Sequence, residues 1–299
     1  MTDRTSACFR AAILTAVTTR PRRRTAALTA LVGASHPVPS LAVTAFATVV
    51  AAATGRSLAG CLLVAGAVGS GQLSIGWSND LIDRGRDSAA ARRDKPLARG
   101  AVPPAVVTTA CALAVAACVP LSLASGTTAG LVHLVAVAGG WAYNLGLKRT
   151  VLSALPYALS FGLLVAFLTL GLPGDPWPRP WAVAAGALLG VGAHFLNVVP
   201  DVEDDLAAGV RGLPHRLGAR RSAVTGAALL LAATVLVVLG PGGAVPAVAW
   251  AGLAAAAATA GGAALLGTRR DAGKGPFLLA VATAAIAVTL LVARGSDLT

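Results

Sequence analysis

Eight of the twelve acidic residues in the chain fall in two short stretches: Asp80, Asp83, Asp87 and Asp94, then Asp201, Glu203, Asp204 and Asp205. In Asn79-Asp80-Leu81-Ile82-Asp83-Arg84-Gly85-Arg86-Asp87, the side chains of Asn79, Asp83 and Asp87 recur at i, i+4 and i+8. On a helix they share one face, with Asp80 at its edge. Asp201 and Asp205 also stand at i and i+4, so each stretch offers a stripe of carboxylate oxygens. Mg²⁺ takes oxygen ligands, keeps several waters, and is held by one or two carboxylates together with substrate phosphates. Two facing stripes would clamp such ions around a diphosphate. The alternative is a set of solvated acids balanced by Arg84, Arg86, Arg92 and Arg93. Ionisable groups at membrane-helix ends are costly and as a rule functional, which favours the clamp. Basic residues follow both stretches, Arg92 to Arg99 after the first and Arg211 and Arg216 after the second, and such groups can hold the outer oxygens of a diphosphate leaving group.

The elements that must position these acids are membrane helices. Of 299 residues, 56% are hydrophobic and 12% charged, with a mean hydropathy of +0.75. Apolar runs near the ~20 residues needed to cross ~30 Å of hydrocarbon recur along the chain. They predict an all-α integral membrane bundle of about nine transmembrane helices, at roughly 37–54, 58–79, 102–124, 127–143, 151–172, 180–200, 221–240, 243–267 and 276–293. The small residues that dominate the apolar content let such helices approach closely. Residues 1–35 are expected to form a basic cytoplasmic tail lying against anionic lipid headgroups, and residues 36–299 a single membrane domain.

The net charge of +12 has a topological origin. With the N-terminus in the cytoplasm, the tail and the loops after even-numbered spans hold 21 of the 24 Lys+Arg. The remaining three are Arg56, Arg179 and Arg294. The positive-inside rule accounts for that bias, places both acidic stretches on the cytoplasmic side, and argues against a nucleic-acid partner. Cys8, Cys61, Cys111 and Cys118 show no metal-ligand spacing, and three of them lie in apolar spans.

The two acidic stretches resemble the paired aspartate-rich motifs of the UbiA superfamily of intramembrane prenyltransferases. Asn79-Asp80-x-x-Asp83-x-x-x-Asp87 is similar to the first motif. Asp201-x-x-x-Asp205, followed by Gly209, Arg211 and Leu213-Pro214, is similar to the second. Lys95-Pro96-Leu97 resembles the Arg-Pro-Leu segment that follows the first motif. The resemblance covers nearly the whole chain after the tail. It implies nine helices around a central cavity, Mg²⁺-dependent ionisation of a prenyl diphosphate, and prenyl transfer to a lipophilic acceptor, an aromatic or quinone precursor. By position it makes Asn79, Asp83, Asp201 and Asp205 the catalytic metal-diphosphate residues, supports them with Asp80 and Asp87, and assigns Lys95, Lys148 and Arg149 to the diphosphate. Two departures stand out. Tyr143 and Lys148 are one residue further apart than the family's Tyr-x-x-x-Lys. At the first span, where many members carry Arg-Pro, this chain has Ser35-His36-Pro37, so His36 or Arg24 would have to take an acceptor carboxylate.

An allylic cation needs an apolar pocket free of water and an acceptor held in line. Read backwards from the motifs, Gln72 shares a helix face with Asn79, while His194 and Asn197 share one with Asp201. These three are the candidate pocket residues. The same ionisation quenched within the substrate would make a terpene cyclase. A transporter of anionic lipids or metabolites would also gather charge at helix ends, but would show interrupted helices in two related halves.

Overall fold

The computed structural model describes residues 26–92, 94–207, 209–269 and 275–299. Among the described residues the chain is helical, without strands. Ala26–Gly33 forms α1. There follow α2 (Pro37–Ala53), α3 (Leu58–Ala89), α4 (Pro104–Leu123), α5 (Thr127–Leu145), α6 (Leu155–Leu170), α7 (Pro180–Val198), α8 (Val202–Ala207), α9 (Leu213–Leu239), α10 (Ala247–Leu266) and α11 (Gly275–Ala293). Proline supplies an N-terminal position of α2, α4, α6, α7 and α9, where its missing N–H costs no helical hydrogen bond. The Ser57 side chain caps α3 by accepting the Gly60 N–H at 3.2 Å.

Each of the nine expected apolar segments is a helix, α2 to α7 and α9 to α11. Nine crossings are not confirmed. By length and composition five described helices suffice to cross a membrane, or six if α1 and α2, bent by 64° at their junction, count as one broken span. α2, with 17 residues, and α6, with 16, are short for the hydrocarbon thickness. Much of the expected basic tail lies outside the described residues; from Ala26 it is helical, and Ala30 and Ala34 pack against Trp77, Leu97 and Val102.

Helices adjacent in sequence pack on one another, and α11 returns to α2, α7 and α9, closing the bundle. Contacts are tightest where side chains vanish. A Cβ on Gly192 would lie 3.0 Å from the Gly226 carbonyl, and one on Gly226 equally close to the Gly192 carbonyl, so α7 and α9 touch backbone to backbone. The largest apolar core joins the end of α2 (Val50, Ala51), the start of α3 (Cys61, Val64), the end of α6 (Phe167 to Leu170) and the ends of α9 and α11. That core closes the end of the bundle opposite the acidic stretches. There Arg56 gives Nε to the Leu168 carbonyl and Nη2 to that of Phe167, both at 3.1 Å, satisfying the last turn of α6.

Candidate active site

α3 runs for 32 residues, and its last turns carry the first acidic stretch. Asp80, Asp83 and Asp87 are all buried, and Asn79 is half-buried. Three buried carboxylates within two turns repel one another unless cations reach them, and the chain's own cations pair directly with two of them, Asp80 and Asp83. Lys148 Nζ donates to Asp83 Oδ2 and, at 3.0 Å, to Asn79 Oδ1. Arg86, one turn along, places Nη2 2.8 Å from the same Asp83 oxygen. On the other flank Lys95 Nζ stands 2.8 Å from Asp80 Oδ1, with His36 Nε2 at 3.0 Å from that atom. Asp80 and Asp83 each retain one buried oxygen without a partner, Oδ2 and Oδ1 respectively.

Lys148 reaches this point because α5 ends at Leu145 and the chain tightens into a 3-10 turn over Leu147–Arg149. Only 5% of Lys148 is exposed. Burial lowers its pKa, against the raising effect of its hydrogen bond to Asp83. The neighbouring Arg149 side chain is exposed.

The second stretch is less regular than expected. α7 stops at Val198, a 3-10 turn spans Val199–Asp201, and α8 begins at Val202. Pro200 has no N–H to give the α-helical ladder, which accounts for the tightened turn. Asp201, Glu203 and Asp204 are exposed, and Asp205 is half-buried. Asp205 Oδ2 lies 3.0 Å from Nε2 of the buried His215, a residue that sequence reasoning left unassigned. Asp94, in the first stretch, is taken up by a two-pronged pair with Arg92, both contacts at 3.0 Å. That hydrogen bonding holds the Asp94 carboxyl below its ordinary range.

The two stretches meet at one end of the bundle. Arg92 feels the charges of both Asp87 and Asp201, and Tyr143 those of both Asp83 and Asp205. Below them lies a cluster of rings. Tyr157 stacks on His194 with centroids 4.4 Å apart, and Tyr143 meets both edge-on, at 5.1 Å and 5.5 Å. His194 Nε2 contacts Ser153 Oγ at 3.3 Å, and its Nδ1 is buried without a partner. Gln72 sits half-buried on α3, whereas Asn197 is exposed one turn before Asp201. Thus the structure brings Asn79, Asp80, Asp83, Lys95 and Lys148 together and places His194 beside Tyr143. It leaves Arg149, Asp201 and Asn197 outside direct side-chain contact with that group. His215 and Tyr157 join the site from outside the expected set. His36, expected to take an acceptor carboxylate, instead stands beside Asp80 and Lys95, and Arg86 pairs with Asp83.

Among the described residues no three His, Cys, Asp or Glu side chains converge as a ready-made metal cage. Mg²⁺ needs no such cage when substrate phosphates complete its shell. Two free, buried carboxylate oxygens one turn apart are the hard donors that this ion takes, so the residues present fit it.

Known proteins share this architecture. A UbiA homolog from Archaeoglobus fulgidus, bound to GPP and Mg²⁺, superposes with a TM-score of 0.67 at 20% identity, over 89% of this chain and 98% of its own. The apo UbiA homolog from Aeropyrum pernix K1 gives 0.65 at 22%, over 84% and 97%. A digeranylgeranylglyceryl phosphate synthase structure gives 0.63 at 14%, over 91% and 99%. No curated protein sequence gives a significant match. The model of the UbiA prenyltransferase family matches residues 40–282, most of the chain, and the protein belongs to that family.

Proposed function

We propose that the protein transfers the prenyl group of a prenyl diphosphate to a lipophilic acceptor, an aromatic or quinone precursor, within the membrane and with Mg²⁺. The observation that carries this reading is the pair of buried, partner-free oxygens on Asp80 and Asp83, flanked by the ammonium groups of Lys95 and Lys148. It is an arrangement of donors for a cation next to donors for an anion. Relatives bound to GPP or DMAPP with Mg²⁺ support the same reading.

Asn79, Asp80, Asp83 and Asp87 on α3, with Asp201 and Asp205 across from them, would hold Mg²⁺, which supplies charge neutralisation for the departing diphosphate. Lys95 and Lys148 bind its outer oxygens, with Arg149 available at the mouth. The allylic carbon–oxygen bond breaks with its electron pair leaving on diphosphate. An electron pair of the acceptor forms the new bond to the allylic carbon, and the acceptor then loses a proton. The ring faces of Tyr143, Tyr157 and His194 stabilise the intervening cation and exclude water from it. The active-site end and the N-terminus face the cytoplasm in this reading.

The test is incubation of membranes containing the protein with Mg²⁺ and a radiolabelled prenyl diphosphate, without added acceptor. Label joined to endogenous lipid supports the transferase. Released hydrocarbon would mean a cyclase, and absence of turnover would favour transport.

A further inference from the structure

His36 sits at the break between α1 and α2 with φ 52° and ψ 62°. This left-handed conformation is unfavourable for a residue with a Cβ, and a following proline, here Pro37, also disfavours it. The backbone role would be met more cheaply by glycine or asparagine. Nor does histidine serve as a cap, since its side chain makes no capping hydrogen bond to α2. What histidine adds is the ring: with its proton on Nδ1, Nε2 accepts from Lys95 Nζ at 3.0 Å and faces the Asn79 Nδ2 donor at 3.4 Å, while Asp80 Oδ1, 3.0 Å from Nε2, accepts from the same Lys95 ammonium.

The turn that presents this ring is pinned from several sides. Ser35 is buried; its Oγ bonds the Val32 carbonyl at 2.8 Å, and its own carbonyl accepts from Ser40 Oγ at 3.0 Å. Trp77 Nε1 holds the Leu31 carbonyl at 2.9 Å. A Cβ on Gly76 would lie 2.2 Å from the Ser35 carbonyl oxygen, so α3 takes the turn against bare backbone one turn before Asp80. Strain held in place by its surroundings, beside a site, points to use of the strained residue.

We infer that His36 is a positioning residue that holds the Lys95 ammonium at Asp80, where it meets the diphosphate. Lys95 comes from the loop after α3 and has four rotatable side-chain bonds. Asp80 and His36 together give it one place to stand, so the ordering is done before substrate arrives. The inference rests on the site being the diphosphate site, and binding is therefore measured apart from turnover.

The experiment uses the full chain in lipid nanodiscs with His36→Gly, which relaxes the backbone and removes the ring, and His36→Asn, which also tolerates the left-handed turn. Calorimetric titration with inorganic pyrophosphate and Mg²⁺ is expected to show affinity weakened by about 10-fold or more in both, the usual scale for losing a hydrogen bond to a charged group. Millimolar imidazole is expected to restore part of the affinity to His36→Gly but none to Lys95→Ala. Adding His36→Gly to Lys95→Ala is expected to cost little further. Wild-type affinity in His36→Gly would overturn the inference, as would a loss of the same size on top of Lys95→Ala. Absence of prenyl diphosphate turnover in the wild type would instead count against the transferase reading, and the pyrophosphate series would still decide the role of His36.

Discussion

Lys148, on a 3-10 turn between α5 and α6, donates to both Asp83 and Asn79 of α3 and is as deeply buried as the carboxylate it meets. A buried pair of this kind has a structural and a functional component, and the two can be separated. Lys148→Met leaves Asp83 with Arg86 alone and is expected to destabilise the protein by up to about 3–5 kcal/mol, the range for breaking buried pairs. Adding Asp83→Asn removes the buried carboxylate that has lost one of its two cations and is expected to recover part of the melting temperature in detergent while turnover stays absent. Recovery of turnover along with stability would mean that the pair only holds the fold.

The close approach of Gly212 to Lys148 gives a second test at a residue without chemistry of its own. A Cβ there would lie 2.6 Å from the Lys148 carbonyl oxygen and 2.9 Å from Ser153 Oγ. Gly212→Ala is expected to cost about 1–3 kcal/mol as an overpacked contact and to reduce turnover by displacing the turn that carries Lys148. Thermal melting and initial rates on the same preparation check both parts.

The second acidic stretch ranks its members. Asp205 is oriented by buried His215, whereas Glu203 is exposed. Asp205→Ala is expected to abolish turnover in folded protein, and Glu203→Ala to leave most of it. His215→Ala should fall between them, with a raised Mg²⁺ requirement, because partners behind a ligating carboxylate commonly contribute 10–100-fold. A Glu203 variant as inactive as the Asp205 variant at equal expression would mean that the ligand set has been drawn wrongly.

Asp94 provides the contrast. Its carboxyl is 59% exposed and bonded to Arg92, with a pKa below the ordinary value. A lowered carboxylate pKa contributes stability that is present above the unfolded pKa and lost as pH falls through the folded one. Exposure limits that contribution to well under about 1 kcal/mol. Asp94→Asn is therefore expected to leave the melting temperature at neutral pH nearly unchanged and to flatten slightly its fall below about pH 4.

Much of the site was legible in the helical spacing of Asn79, Asp83 and Asp87, because α3 runs unbroken through all three. Lys148 was legible only through family resemblance, and its extra residue of spacing makes sense once α5 yields to a 3-10 turn. Asp201 and Asp205 were expected on one helix face, but Pro200 tightens the backbone between α7 and α8. The apolar runs located the nine long helices, although α3 continues ten residues past its expected end, α9 begins eight before its expected start, and the short α1 and α8 were not expected. The number that cross the membrane was less accessible, since α2 and α6 are short and α1 joins α2 through a bend. His36 and His215 depend on contacts across 44 and 10 positions, which no local period reveals.

The central claim is that these carboxylates and lysines ionise a prenyl diphosphate with Mg²⁺. The most direct measurement is diphosphate release from purified protein in nanodiscs supplied with a prenyl diphosphate, for the wild type and for Asp83→Asn. The account predicts release by the wild type with Mg²⁺, its loss on chelation, its return when the ion is restored, and no release by Asp83→Asn assayed as folded protein below its own, lowered melting temperature. Undiminished release in excess chelator, or wild-type release by Asp83→Asn, would contradict it.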